Sequence, residues 1–279
     1  MPDLPIPVLL GNEELLERPL TAFLCSHRVP DDVFPAIRQW VNTLHPEHDC
    51  VLCGCMSGIE RYALQRLLAR HIPIILVLAE AMPADVGEVS RKMPDIVLSE
   101  AMGEGRLLLA SINQVKDDDS PTGSNAEQRN RWMMSTAHHI IIAYALPYGR
   151  LHQQLIGRDN VTYLLPTPNV IPTPQQAEGM GWAICRYLRD NLQKLDSTAI
   201  RSLLHSYLHL STQRPSLLHS LMLALVVNNH EHIGMTSFPA FFQLWGPENL
   251  REEDRNPYTT KDGQTLPSLA ERVEELLQS

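Results

Sequence analysis

The 279 residues, 44% hydrophobic and 20% charged, can build one full domain and a smaller appendage. No apolar run has the length needed to span a bilayer. A net charge of −9 excludes a protein that coats nucleic acid through a global basic field, so any nucleic-acid contact must be a local patch.

In chain order, residues 4–18 read as a short strand or loop followed by a helical turn at Glu13-Glu14-Leu15-Leu16. Thr21–Cys25 is a compact apolar run with an exit turn, Ser26-His27-Arg28. Between Asp31 and Leu44, the residues Val33, Phe34, Ile37, Trp40, Val41 and Leu44 recur at helical spacing. Cys50–Cys53 is the next strand, and a helix over Glu60–Arg70 follows a glycine turn. Pro73 opens Ile74–Leu78, a run suited to a central parallel strand buried on both faces. This β-α-β-α-β order predicts an α/β, doubly wound, mostly parallel sheet whose ligands collect at the carboxyl ends of the strands.

Further along, Glu88–Lys92 reads as a short helix, and Ile96-Val97-Leu98 as a strand ending at Ser99-Glu100. Leu107–Leu109 reads as another strand. Lys116–Asn125, with three consecutive aspartates beside Ser, Pro and Gly, reads as a solvated loop. Ala126–Ala137 is a predicted helix, His139–Tyr144 a strand and Val161–Leu165 the last strand. The Pro-rich residues 166–174 mark the expected boundary between a domain at 1–174 and a helical region at 175–279. In the latter, Ala177–Leu195, Ser197–Leu210, Pro215–Asn228, Phe238–Leu244 and Leu266–Leu277 carry helical patterning. A helical cap, a homodimerisation element and a partner-binding module all suit that region.

The chemistry concentrates at Cys53-Gly54-Cys55-Met56-Ser57-Gly58-Ile59-Glu60. Glycines let the backbone approach a ligand closely, and the helix that starts there aims free N–H groups and a positive dipole end at the same point. Ser26 and Arg28 leave the first strand of the sheet reading, Gly54, Met56, Ser57, Gly58 and Glu60 the second, and Arg129, Asn130 and Arg131 open a later helix. Arginine's planar fork suits phosphate oxygens, so these residues form the expected phosphate cage. Glu60 suits a helix cap or an acceptor for a ribose or base edge. The segment lacks the lysine of a Walker loop, which disfavours nucleotide hydrolysis.

Metal and cofactor chemistry is not expected. Cys50, Cys53 and Cys55 fall on a strand and its exit, with no second cysteine pair at finger spacing. An odd total of five cysteines argues against a disulfide framework. His138 and His139 are adjacent on a strand and point to opposite faces, and His230-Glu231-His232 has no companion cluster. The start Met1-Pro2-Asp3-Leu4-Pro5 lacks the basic-then-apolar pattern of a secretory signal, so the expected address is cytoplasmic.

The order of these pieces resembles the DNA-processing protein A (Smf) family, Rossmann-like proteins of bacterial transformation and recombination. Gly11-Asn12-Glu13-Glu14-Leu15-Leu16 precedes Cys25-Ser26-His27-Arg28. The turn Cys53–Glu60, Val77-Leu78, Ser99-Glu100 and Arg129-Asn130-Arg131 follow in the family's order, over residues 8–166. The chain departs from the family pattern with Cys25 in place of a glycine, His27 inserted before the arginine, Glu60 for aspartate and Leu64 for a histidine. Pro147–Leu151 replaces a Ser-Gly-Ser segment, and the tail does not match a winged-helix module. The resemblance implies a Rossmann-like fold, with single-stranded DNA held in a basic pocket and handed to a recombinase.

The expected function is therefore a non-enzymatic binder of single-stranded DNA or a nucleotide. A nucleotide-phosphoribohydrolase-type enzyme on a similar fold is one alternative, although its P-G-G-x-G-T segment with a downstream glutamate is missing. A small-nucleotide sensor signalling through the helical tail is another.

Overall fold

The computed structural model describes residues 6–113, 123–210, 217–229, 250, 252–259 and 263–278. The expected helix at Phe238–Leu244 and the histidines at 230 and 232 lie outside them, as does most of the expected loop at 116–125. The chain divides into two compact units, Met1–Asn169 and Val170–Ser279.

In the first unit, β1 (Val8–Gly11) leads through a short 3₁₀ turn (Glu13–Glu17) to β2 (Leu20–Leu24). There follow α1 (Val33–Thr43), β3 (Cys50–Cys53), α2 (Gly58–Ala69) and β4 (Ile74–Ala81). Then come α3 (Val86–Lys92), α4 (Ser99–Gly103), β5 (Leu107–Asn113), α5 (Gly123–Thr136), β6 (His139–Ile142), α6 (Arg150–Gln154) and β7 (Val161–Tyr163). The strands form a seven-stranded sheet in the order β1-β5-β4-β3-β2-β6-β7. Only the β1–β5 pair is antiparallel. This is an α/β Rossmann-like architecture.

Alternation along the strands divides the core into two layers, because successive side chains point to opposite faces. On one face Phe23, Val51, Cys53, Leu76 and Leu109 pack with Val33 and Ile37 of α1, Leu64 and Leu67 of α2, and Val89 of α3. On the other, Ala22, Leu24, Leu52, Ile75, Val77 and Ile142 pack with Trp132 and Met133 of α5 and Leu151 of α6. Both faces are dry, which explains why these strands read as unbroken apolar runs.

The strand order also locates the ligand edge. From β2 the chain steps through β3 and β4 to β5 in one direction, then returns to lay β6 on the other flank of β2. Neighbouring loops after β2 and β6 therefore diverge onto opposite faces, opening a crevice outside their carboxyl ends.

One expected strand is absent. Ile96–Leu98 forms no ladder; it is the bend between α3 and α4. Ile96 and Leu98 are buried in the core while Val97 is exposed. A short apolar run anchored by two core side chains is indistinguishable in sequence from a strand, and the place beside β4 is taken by β5. The helix after the glycine turn begins at Gly58 instead of Glu60, and the segment ending near residue 18 is an antiparallel edge strand plus a 3₁₀ turn.

The second unit contains α7 (Pro174–Asn191), α8 (Ser197–Leu210), α9 (Leu217–Asn228), the small antiparallel pair β8 (Tyr258–Thr259) and β9 (Thr265–Leu266), and α10 (Leu269–Gln278). Thr173 starts α7 with a reciprocal capping box to Gln176. Ile184, Leu188, Ile200, Leu204, Met222 and Val273 are buried, and α7 packs on α8 and α9, with α10 on α9. Among the described residues no helix is long and apolar enough to cross a membrane.

Candidate functional site

At the carboxyl edge of the sheet, the loops after β2, β3 and β6 and the helix α5 enclose a cavity of about 350 Å³. That volume lies in the range of small-ligand pockets. Its lining includes Ser26, Arg28, Met56, Glu60, Arg129 and Asn130, six of the ten residues expected from sequence. Gly54 touches it indirectly, beneath Arg129.

Ser26 holds the crevice together. Its backbone N–H donates to the Tyr144 carbonyl at 2.9 Å, and its hydroxyl accepts from Leu146 N–H at 2.9 Å. One short side chain thus fastens the exit of β2 to the exit of β6.

The glycine turn after β3 is built around Glu60. Ser57 caps α2 by accepting from Glu60 N–H at 3.1 Å, and the Glu60 carboxylate reaches back in a capping box. Glu60 Oε2 accepts from Met56 N–H at 2.8 Å and from Ser57 N–H at 3.1 Å. The turn's own carboxylate therefore occupies amides that a free helix N-terminus would offer to a ligand anion.

Arg129 completes this arrangement. Its Nη2 donates to Glu60 Oε1 at 2.7 Å and to Asn130 Oδ1 at 2.8 Å, and both side chains of the ion pair are only 4% exposed. Nη1 is buried without a hydrogen-bond partner among the described residues and lies against Gly54, where an added Cβ would overlap it. Glycine is required at 54 by the close approach of a guanidinium, and its φ is not in the left-handed region. Arg129 and Glu60 together form a neutral, buried floor.

The cations left uncommitted are Arg28 and Arg150. Both are exposed and line the cavity, and neither has an ion-pair or hydrogen-bond partner among the described residues. Arg131 points elsewhere: it is exposed and pairs with Glu127 at 2.8 Å one helical turn away, and it does not line the cavity. Gly58 is exposed with open space around it, and Ser57 is buried in its capping role.

Arg150 is the contribution that sequence reasoning missed, together with Cys25, Leu146 and Gln154 of the lining, while His27 lines the cavity beside Ser26 and Arg28. Arg150 opens α6 directly after a turn in which Tyr148 adopts φ 58°, an uncommon conformation for a non-glycine residue. His152 Nδ1 accepts from Tyr148 N–H at 2.9 Å, and burial holds its pKa below the ordinary histidine value. The signal was the Tyr-Gly-Arg run after a strand, but it gained meaning only once β6 was seen beside β2.

Burial pushes the thiols of Cys25 and Cys55 up to about 12, away from the range in which a cysteine is activated as a thiolate. At the opposite end of the sheet, His71, Glu100 and Glu104 are near enough to share an ion, but all are exposed and Glu104 is paired with Arg106. His138 Nδ1 accepts from Leu20 N–H at 3.0 Å, a structural role.

No protein-family model and no curated protein matches the chain. Among solved structures it is similar to DNA processing protein A from Helicobacter pylori, in a study of that protein's single-stranded DNA binding mode. The identity is 15% and the TM-score 0.47, over 75% of this chain and 90% of that one. It is also similar to DNA processing protein A from Streptococcus pneumoniae, at 18% identity and a TM-score of 0.43, over 67% of this chain and 65% of that one.

Proposed function

We propose that the first unit binds single-stranded DNA or a nucleotide in the crevice between β2 and β6, without catalysing a reaction on it. The observation that carries this reading is the pairing of two uncommitted arginines, Arg28 and Arg150, on the wall of a cavity at the switch point of the sheet. Phosphate contacts of this kind supply most of the affinity of nucleic-acid binding. Met56, Leu146 and Leu151 give the same cavity apolar walls for a base. Action in DNA uptake or recombination, with handover to a recombinase, is the role that the sequence resemblance implies. The binder reading is favoured over a phosphoribohydrolase by the state of the cavity's carboxylates: Glu60 has both oxygens engaged, and Glu127 is paired with Arg131.

The test is a fluorescence-anisotropy titration of labelled oligo(dT) at low and at physiological salt, with nucleoside monophosphates as competitors. Binding that weakens steeply with salt is expected. Absence of binding to both ligand types at low salt overturns the proposal, and release of free base from a monophosphate would replace it with the enzyme reading.

A further inference from the structure

Met56 lines two cavities at once. One is the crevice above β2 and β6; the other, of about 210 Å³, lies on the β4 side of the same turn. Leu78, Val89 and Met93 give the second cavity apolar walls, and Arg61, Glu80 and Lys92 its charged ones. At that volume it falls below the range of pockets that bury a whole small ligand, but it suits one planar ring. Thioethers such as those of Met56 and Met93 make favourable contacts with aromatic faces.

Arg61 stands by the ridge between the two. Its Nε donates to the Cys55 carbonyl at 3.0 Å, which anchors the guanidinium to the turn while its terminal nitrogens have no partner among the described residues. Lys92 is tied to Glu80 at 2.7 Å. Strands are spaced by about 4.8 Å, so the β2/β6 crevice and the β3/β4 edge are roughly 10 Å apart along the sheet. That corresponds to about three nucleotides of stacked rise.

Resting on the binding role proposed above, we infer that the cavity on the β4 side of Met56 is a second nucleotide subsite. The site then accepts a short single strand draped over Met56. One nucleotide sits at Arg28 and Arg150, a later base sits against Leu78, Val89 and Met93, and Arg61 faces the phosphate that crosses the ridge. A mononucleotide fills only the first position.

The experiment is isothermal titration of the full chain with thymidine monophosphate and with a thymidine tetranucleotide, for wild type, Lys92→Glu and Arg61→Gln, with thermal melts as fold controls. Lys92→Glu is an exposed change that sets a second carboxylate beside Glu80. The tetranucleotide is expected to bind about tenfold tighter than the monophosphate, in line with one further stacked base. Lys92→Glu should weaken the tetranucleotide about fivefold or more while leaving the monophosphate within about twofold, and Arg61→Gln should act in the same direction. Monophosphate binding with no gain for the tetranucleotide overturns the second subsite alone, as does a tetranucleotide affinity untouched by both variants. Failure of both ligands to bind wild type overturns this inference together with the binding role beneath it.

Discussion

Arg129 and Glu60, 69 positions apart in sequence, meet at 2.7 Å with both side chains almost wholly buried. The pair closes the glycine turn from within: Glu60 satisfies the turn's amides, and Arg129 neutralises Glu60 and covers Gly54. A turn with the outward look of an anion cradle therefore carries its own anion and counter-cation, and the free positive charge of the crevice comes from Arg28 and Arg150.

Removing one partner of a buried ion pair strands the other, at a cost of about 3–5 kcal/mol. Glu60→Ala and Arg129→Ala are each expected to lose stability on that scale in urea unfolding. The double variant should lose clearly less than the sum, because the two changes share one interaction. Additive losses would show that the two side chains are not coupled.

Gly54 and Gly58 should respond oppositely to alanine. Gly54→Ala drives a methyl into Arg129 and against Glu60 Oε1 and is expected to destabilise by about 1–3 kcal/mol, a cost that should shrink in an Arg129→Ala background. Gly58→Ala meets open space at the first position of α2 and should be neutral or stabilising by up to ~1 kcal/mol. Equal melting shifts for the two single variants would contradict this assignment.

Salt dependence separates the arginines proposed to contact phosphate from the ion-paired Arg131. Each phosphate contact contributes about 0.7 to the slope of log affinity against log salt on a single strand. Arg28→Ala and Arg150→Ala should each lower the slope by about that amount, while Arg131→Ala, whose partner is Glu127, should leave it nearly unchanged. A slope that falls for Arg131→Ala and not for Arg28→Ala would reverse the roles.

His152 supplies a pH signature. Its pKa in the fold is lowered by burial, so below the ordinary histidine value near 6.5 the unfolded chain takes up a proton that the native state resists. Stability contributed by the neutral ring is thus present above that pH and is lost progressively as pH falls from it toward the depressed native value. Wild type is expected to lose melting temperature between neutral and mildly acidic pH, and His152→Gln to lose less over the same interval. Parallel curves for the two proteins would remove His152 from the account.

Much of the architecture was legible in the residues. Val51, Leu52 and Ile74–Leu78 suited strands buried on both faces and are such strands, and Ser57 with Glu60 three positions on is a capping signal that the fold obeys. Ile96–Leu98 misled because core anchoring and strand pairing demand the same apolar side chains, and only the neighbouring ladder distinguishes them. Six of the ten expected site residues line one cavity, because loops after parallel strands converge at one edge of a sheet.

By itself, then, the sequence determined most of the strands and helices of the first unit and the sheet edge at which their loops gather, since periodicity and capping are local properties of neighbouring residues. The tertiary structure alone decided which charges are free. Ion pairing depends on distances between segments far apart in the chain, and those distances bound Arg129 to Glu60, paired Arg131 with Glu127 and left Arg28 and Arg150 facing the crevice.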